Sequence, residues 1–121
     1  TNLREISLGQ WEGKSFEEIK RSQPEAYHLR GENLGGFRTP GGESFSDLQS
    51  RVVPVLNDVL ALSSGNVAIV AHAGVIRVAL CYFLGLSLDN LFKLGQDYGS
   101  LTILEVRSNQ EIRLKALNLI P

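Results

Sequence analysis

Five apolar residues in succession, Val67 to Ala71, follow the turn residues Gly65 and Asn66. A short apolar run without alternation is typical of a strand that is covered on both faces, as in the centre of a parallel sheet. Apolar residues then recur at helical spacing from Gly74 onward, and His72 stands between the two patterns. The sequence therefore predicts a buried strand that delivers an imidazole to the edge of a sheet. A helix begins there, and α/β proteins bind anions and other ligands at such places.

The remaining apolar positions predict further helices and one hairpin. Ser15 with Glu18, and Ser44 with Asp47, have the spacing of a capping box, so each pair predicts the start of a helix. We predict an extended loop over 1–13, a glycine-rich loop over 31–42, helices over 15–22, 24–30, 44–63, 74–84 and 87–93, and strands over 98–106 and 111–118. Apolar and polar residues alternate in the last strand, which predicts one wet face and an edge position.

The predicted strands do not complete a sheet. The strand at 67–71 needs a neighbour on each side, and a right-handed crossover through the helix at 74–84 supplies one, the strand at 98–106. No segment of the sequence supplies the other neighbour. A strand with its crossover helix needs at least ~30 residues. We therefore expect that such material precedes Thr1 in the parent protein or comes from another chain.

Composition narrows the functional classes. The 121 residues carry a formal net charge of −1 and show no basic stripe of the kind that binds nucleic acid. No apolar run reaches the ~18 residues of a membrane span, so we expect a cytoplasmic protein that contacts neither membranes nor nucleic acids. Cys81 and two distant histidines do not have the spacing of a zinc site. Because nucleotide-binding glycine motifs are also missing, we predict no metal and no cofactor.

Three side chains are the first candidates for chemistry. His72 is followed by small residues, which leave room for a ligand to approach backbone N–H groups. An imidazole there can hold a phosphoryl or carboxylate oxygen, although a core histidine is the simpler interpretation. Glu5 and Glu12 lie among apolar residues, which indicates that their loop packs near the sheet. A carboxyl group there can act as a general acid, whereas a solvated surface position is the simpler interpretation.

Further candidates flank the glycine-rich loop. Arg30 and Arg38 would place positive charge over an anionic substrate, or they simply interact with solvent. Glu43 together with Ser44 is most simply the start of a helix. His28 lies in a short helix without an evident partner, and we assign it a structural role.

Three stretches together resemble the histidine phosphatase superfamily, also called the phosphoglycerate mutase-like family. They are residues 3–13 (LREISLGQWEG), 40–45 (PGGESF) and 70–77 (VAHAGVIR), and their order and spacing agree from end to end. The first stretch is more similar to phosphatase-type members, such as α-ribazole phosphatase-like and broad-specificity enzymes, than to the glycolytic mutases. The resemblance implies an α/β fold with three α/β/α layers. A single domain over 1–121 would be an incomplete C-terminal portion of that fold.

The resemblance also implies roles for individual residues. His72 corresponds to the second histidine of the pocket, which binds the transferring phosphoryl group and does not attack it. The N–H of Ala73 corresponds to a phosphate-binding donor, and Glu5 to the general acid that protonates the leaving alcohol. Glu43 matches a Gly-Glu-Ser turn at the edge of the pocket. The segment 14–42 matches the variable cap that shapes substrate choice.

The family's nucleophile has no counterpart in the sequence. It is a histidine in an Arg-His-Gly motif, and neither His28 nor His72 follows an arginine. We expect the full-length protein to hydrolyse phosphomonoesters through a phosphohistidine, and this chain alone to be inactive or nearly so. A phosphoglycerate mutase-type phosphotransferase and a non-catalytic module that binds a phosphorylated ligand are the alternatives. The expected partners are a phosphorylated small molecule and either a second copy of the chain or the missing N-terminal half.

Overall fold

A computed structural model describes residues 2–121. Within that range the chain forms helices and one small sheet, which places it in the α/β class. The helices are α1 (Phe16–Ser22), α2 (Pro24–Glu32), α3 (Phe45–Leu62) and α4 (Ala73–Leu84), with 3-10 helices at Gly9–Trp11 and Leu88–Lys93; the strands are β1 (Leu101–Val106) and β2 (Ile112–Leu119). None of the helices in the described range is long and apolar enough to cross a membrane.

The predicted helix starts are confirmed by hydrogen bonds. The Ser44 hydroxyl accepts from the Asp47 N–H at 3.0 Å, and the Asp47 carboxylate accepts from the Ser44 N–H at 2.9 Å, so α3 begins with a complete capping box. At α1 the Ser15 hydroxyl accepts from the Glu18 N–H at 3.1 Å. These side chains satisfy N–H groups that no helical carbonyl can reach. Consequently, the sequence pattern located both helices to within a residue or two.

The hydrophobic core lies mainly between α3 and α4. One face of α3 and most of the surface of α4 are apolar, and the 3-10 helix Leu88–Lys93 closes the core from one side. The core members are Phe45, Leu48, Val52, Leu56, Val75, Val78, Ala79, Cys81 and Leu91. Leu3 and Ile6 pack against this core, which confirms that the first loop lies down on the domain. The packing fixes the N-terminus of α4 relative to that loop.

The C-terminal hairpin is confirmed. β1 and β2 pair antiparallel, with Leu104 opposite Leu114 and Val106 opposite Ile112. The β1 strand begins three residues later than predicted, at Leu101. Half-buried and exposed residues alternate along β2, as expected for a strand with one wet face.

The predicted buried strand over 67–71 is wrong. These residues pair with no strand in the described range, and the side chains of Ile69 and Val70 are 46% and 98% exposed. The predicted pairing with 98–106 is also absent, since β1 pairs with β2 alone in the sheet of the described chain. Both segments instead line one apolar groove of about 250 Å³. The local pattern reports a tendency to be buried, but a strand also needs a neighbour's backbone groups.

The loop before α1 lies against the segment that precedes α3. The Glu43 N–H donates to the Ser7 carbonyl at 2.7 Å, and the Gln10 N–H donates to the Pro40 carbonyl at 2.8 Å. The backbones approach so closely that a Cβ on Gly9 would overlap the Pro40 carbonyl oxygen. Gly9 also has a φ of 54°, in the left-handed region that favours glycine. This contact brings Glu5 and Glu43 into the same part of the molecule.

Candidate active site

The Glu5 carboxylate lies at the N-terminus of α4. Its Oε2 accepts from the Gly74 N–H at 3.2 Å, and its Oε1 accepts from the Ile6 N–H at 2.9 Å. A helix N-terminus carries unsatisfied donors and a partial positive charge, so a carboxylate is favoured there. A Cβ on Gly74 would collide with Glu5 Oε1, so glycine is needed for this approach. The structure therefore places Glu5 directly beside the turn that contains His72 and Ala73.

His72 and Ala73 present polar groups to solvent at the same turn. His72 is the N-cap residue of α4, has an extended backbone (φ −102°, ψ 161°) and is exposed. Its side chain makes no capping hydrogen bond. The Ala73 N–H is at the first helical position and has no acceptor among residues 2–121. His72, a backbone donor without an acceptor in residues 2–121 and the helix dipole thus lie at one helix N-terminus, the kind of place that binds oxyanions.

Glu43 forms a mostly buried ion pair with Arg51, a residue that the sequence analysis did not single out. The Arg51 Nε donates to Glu43 Oε2 at 2.8 Å, and the side chains are 14% and 19% exposed for Arg51 and Glu43 respectively. This hydrogen bond from Arg51 is the main reason that the pKa of Glu43 is lowered from its ordinary value. Eight positions separate the two residues, and no local motif links them. The pair joins the residue before the N-cap of α3 to a residue within that helix.

Arg38 pairs with Asp47, the residue that completes the capping box of α3. Its Nε and one terminal nitrogen donate to the two Asp47 oxygens, each at 2.8 Å, in a bidentate pair. The hydrogen bond to Arg38 is the main reason that the pKa of Asp47 lies well below its ordinary value. The Arg38 side chain is 64% exposed. The structure therefore places this cation near the start of α3, at the edge of the segment 14–42.

Arg30 contacts an aromatic cluster. Its guanidinium carbon lies 5.0 Å from the ring centroid of Phe16, 5.4 Å from that of Phe92 and 5.9 Å from that of Phe45. No carboxylate pairs with it in the described part of the chain. Burial lowers the pKa of Arg30 from its ordinary value. The cation is therefore fixed by stacking and remains available to an anion.

The other candidates have local roles. Glu12 Oε1 accepts from the Leu8 N–H at 2.7 Å and so shapes the turn that contains the 3-10 helix Gly9–Trp11. His28 Nε2 lies 2.9 Å from Glu32 Oε1 on the exposed surface of α2. Between residues 2 and 121, no three His, Cys, Asp or Glu side chains gather closely enough to hold a metal ion.

Comparisons of the sequence with known proteins point to one family of phosphatases. The sequence profile of the "Histidine phosphatase superfamily (branch 1)" matches residues 1–120. Human "6-phosphofructo-2-kinase/fructose-2,6-bisphosphatase 1" is 38% identical over 89 residues, which cover 74% of this chain and 18% of that protein. The match thus spans about a fifth of that relative's length.

Solved structures of phosphatases have the same fold as this chain. A mycobacterial glucosyl-3-phosphoglycerate phosphatase in complex with inorganic phosphate superposes with a TM-score of 0.82 at 29% identity, over 99% of this chain and 63% of that chain. An α-ribazole phosphatase from Shigella flexneri superposes with a TM-score of 0.81 over 99% of this chain and 60% of that chain. Its identity of 20% supports the fold alone. The chain spans less than two thirds of either structure.

Proposed function

The chain belongs to the histidine phosphatase superfamily, and we propose that the protein hydrolyses phosphomonoesters, with Glu5 as general acid and His72 and Ala73 as phosphate-binding groups. One observation carries the proposal. The Glu5 carboxylate is hydrogen-bonded to Gly74 at the N-terminus of α4, directly beside an exposed imidazole and a backbone donor without an acceptor. The proposed proton donor and the proposed oxyanion-binding groups thus lie at the same helix N-terminus, which supports the proposal.

The arrangement fits the electronic demands of phosphoryl transfer. The His72 imidazole and the Ala73 N–H would hold the equatorial phosphoryl oxygens, on which the negative charge is spread. As the bond between phosphorus and the leaving oxygen breaks, protonated Glu5 gives its proton to that oxygen and an alcohol departs. The Glu5 carboxylate then takes a proton from the water that attacks the phosphoryl group. Phosphate leaves and Glu5 is protonated again.

The nucleophile of this reaction has to come from another segment. The chain has two histidines; His72 would bind the phosphoryl group, and His28 lies on α2 with its Nε2 2.9 Å from Glu32 Oε1. We propose a histidine nucleophile that attacks phosphorus in line with the leaving oxygen and forms a phosphohistidine, which water then hydrolyses. The resemblance to the superfamily supports this step, because the family's nucleophile is a histidine on a strand.

The apolar groove supports the proposed pairing with such a segment. It is lined by 67–71, by β1 and by residues of α3 and α4, and it reaches Ala71, the neighbour of His72. An extended segment in this groove could pair with exposed backbone and cover the apolar side chains of 67–71. If it ran parallel to 67–71, its carboxyl end would lie near His72. The proposed partner is therefore an extended apolar strand that ends in the nucleophile.

The segment 14–42 would act as the cap and contribute to substrate recognition. Arg30 is a half-buried cation that aromatic rings hold in place and that no described carboxylate pairs. We propose that it binds an anionic group of the phosphorylated substrate, with Arg38 and Glu43 at the edge of the pocket. The bidentate pair with Asp47 makes Arg38 the weaker candidate of the two arginines.

The test compares the full-length natural protein, its variants and the 121-residue chain. Steady-state hydrolysis of p-nitrophenyl phosphate and of glycerol phosphate is measured for wild type, Glu5→Gln, His72→Ala and the control Glu17→Gln, an exposed carboxylate on α1. We expect Glu5→Gln to lower kcat about 10²–10⁴-fold with glycerol phosphate, as for loss of a general acid. We expect Glu17→Gln to hydrolyse both esters at wild-type rates. We expect the isolated 121-residue chain to hydrolyse neither. Enzyme-like turnover by the isolated chain would refute the external nucleophile.

Vanadate binding separates catalysis from mere ligand binding. We expect the full-length protein to bind vanadate and His72→Ala to bind it more weakly. Binding without turnover of either ester would favour the non-catalytic module that binds a phosphorylated ligand. Transfer of the phosphoryl group to an added alcohol in preference to water would favour the phosphotransferase.

A further inference from the structure

We propose that Arg51 is a positioning residue that holds Glu5 in place through the backbone of the first loop. This inference rests on the proposed function of Glu5 as general acid. It concerns a residue of α3 whose hydrogen bonds go to the first loop and to Glu43.

Arg51 uses its guanidinium to bind the first loop at two carbonyls. One terminal nitrogen donates to the Asn2 carbonyl at 2.7 Å, and the other donates to the carbonyl of Glu5 itself at 3.0 Å. The remaining donors go to Glu43, at 2.8 Å from Nε and 3.0 Å from the second terminal nitrogen. A planar guanidinium fixes the directions of all its donors at once. These hydrogen bonds therefore fix the position of the first loop relative to α3.

Glu43 completes the attachment from the other side of Glu5. Its Oε1 accepts from the Ser7 N–H at 2.9 Å, and its own N–H donates to the Ser7 carbonyl at 2.7 Å. The pair of Arg51 and Glu43 thus fixes the backbone at Asn2, Glu5 and Ser7. With its backbone fixed in this way, Glu5 is held where its carboxylate accepts the hydrogen bond from the Gly74 N–H.

The arrangement is suited to placing a proton donor. The Glu5 backbone is bound to Arg51 and its carboxylate is bound to α4, so both ends of the acid are held. The opposite charges of Arg51 and Glu43 are largely screened from solvent, and the pair keeps both groups ionised. A displacement of a catalytic group by about 1 Å can cost about 10²-fold in rate. Loss of Arg51 should therefore act on the proton-transfer step specifically.

Leaving-group dependence distinguishes positioning from simple structural support. Glycerol phosphate has a poor leaving group that needs a proton, whereas p-nitrophenolate leaves without one. We would measure kcat and KM for both esters in the full-length protein, for wild type, Arg51→Met, Arg51→Lys, Glu5→Gln and the control Arg113→Met. Arg113 is an exposed arginine of β2, remote from the first loop in the sequence.

For Arg51→Met we expect kcat/KM with glycerol phosphate, which reports the steps up to departure of the leaving group, to fall about 10–100-fold, while kcat/KM with p-nitrophenyl phosphate changes less than about threefold. Arg51→Lys keeps the charge but lacks the fork, so we expect a smaller loss. The double variant of Arg51→Met and Glu5→Gln should show no additional leaving-group effect beyond Glu5→Gln. Arg113→Met should match wild type with both esters.

Two results would overturn the inference while leaving the proposed function intact. One is an equal loss of kcat/KM with both esters in Arg51→Met, which would indicate a smaller folded fraction. The other is an additional leaving-group effect in the double variant, which would show that Arg51 does not act through Glu5. If Arg51→Met does not fold, Arg51→Lys carries the same comparison. If wild type hydrolyses neither ester, the proposed function fails first.

Discussion

The Glu5 carboxylate accepts a hydrogen bond from the Gly74 N–H at 3.2 Å, although 69 positions separate the two residues. This bond joins the first loop to the N-terminus of α4. Gly74 is also the position at which a Cβ would collide with Glu5 Oε1. The proposed acid and the proposed oxyanion-binding turn therefore depend on each other's geometry.

Replacement of Gly74 should separate activity from stability. In Gly74→Ala the methyl group displaces the Glu5 carboxylate, so we expect kcat with glycerol phosphate to fall about 10²-fold. Helix propensity favours alanine by about 1 kcal/mol, which offsets part of the lost contact, so Tm should change little. Gly31→Ala is the matched control, since Gly31 lies in α2 and its Cβ would meet no atom within 4 Å. Unchanged activity in Gly74→Ala would contradict the placement of Glu5.

Stability toward acid should depend on Asp47. Its pKa is lowered in the folded protein, mainly by Arg38, whereas the unfolded value is about 3.9. A lowered folded pKa contributes stability above the unfolded pKa, and this contribution is lost as the pH falls toward the folded pKa. Because the pair is partly exposed, we expect Asp47→Asn to cost only about 0.5–1 kcal/mol at pH 7. At pH 3, urea unfolding should show a smaller difference.

An exposed aspartate on the same helix provides the control for Asp47. Asp58→Asn should leave the free energy of unfolding within about 0.5 kcal/mol of wild type at either pH. If Asp47→Asn lowers the free energy of unfolding by the same amount at pH 3 and pH 7, the charge of the Asp47 carboxylate does not contribute to stability.

The core between α3 and α4 predicts a large cavity effect at Leu48. This side chain is 0% exposed, so Leu48→Ala should lower the free energy of unfolding by about 2–5 kcal/mol. Leu62 lies on the same helix and is 88% exposed, so Leu62→Ala should change it by less than about 0.5 kcal/mol. Urea unfolding of both variants measures the contrast. Similar values for the two would place the core elsewhere.

The apolar groove predicts a variant that affects pairing alone. Ile69 lines the groove and is 46% exposed, so Ile69→Lys should leave the stability of the 121-residue chain nearly unchanged. It should abolish the recovery of phosphatase activity when the chain is mixed with the proposed strand that ends in the nucleophile, produced separately. Leu62→Lys, outside the groove, should permit recovery. Equal recovery in both variants would rule out the groove as the pairing site.

The local elements were readable from the sequence because their causes are local. Ser15 and Ser44 bond to N–H groups three positions away, and the apolar stripe of α3 lies within one helix. The hairpin also forms between neighbouring segments. Each of these elements is determined by residues within it or next to it, so its sequence is enough to predict it.

Tertiary structure decided the two features on which the site depends. Glu5 meets α4 across 69 positions, and Arg51 meets the Glu5 carbonyl across 46, so no local pattern could reveal either contact. The apolar run over 67–71 predicted a buried strand that the described chain does not form, because strand pairing depends on a neighbouring backbone that the pattern cannot specify. The sequence by itself indicated candidate site residues and determined where the helices begin. Long-range packing determined which of those residues meet, because contacts between distant segments depend on the shape of the whole core.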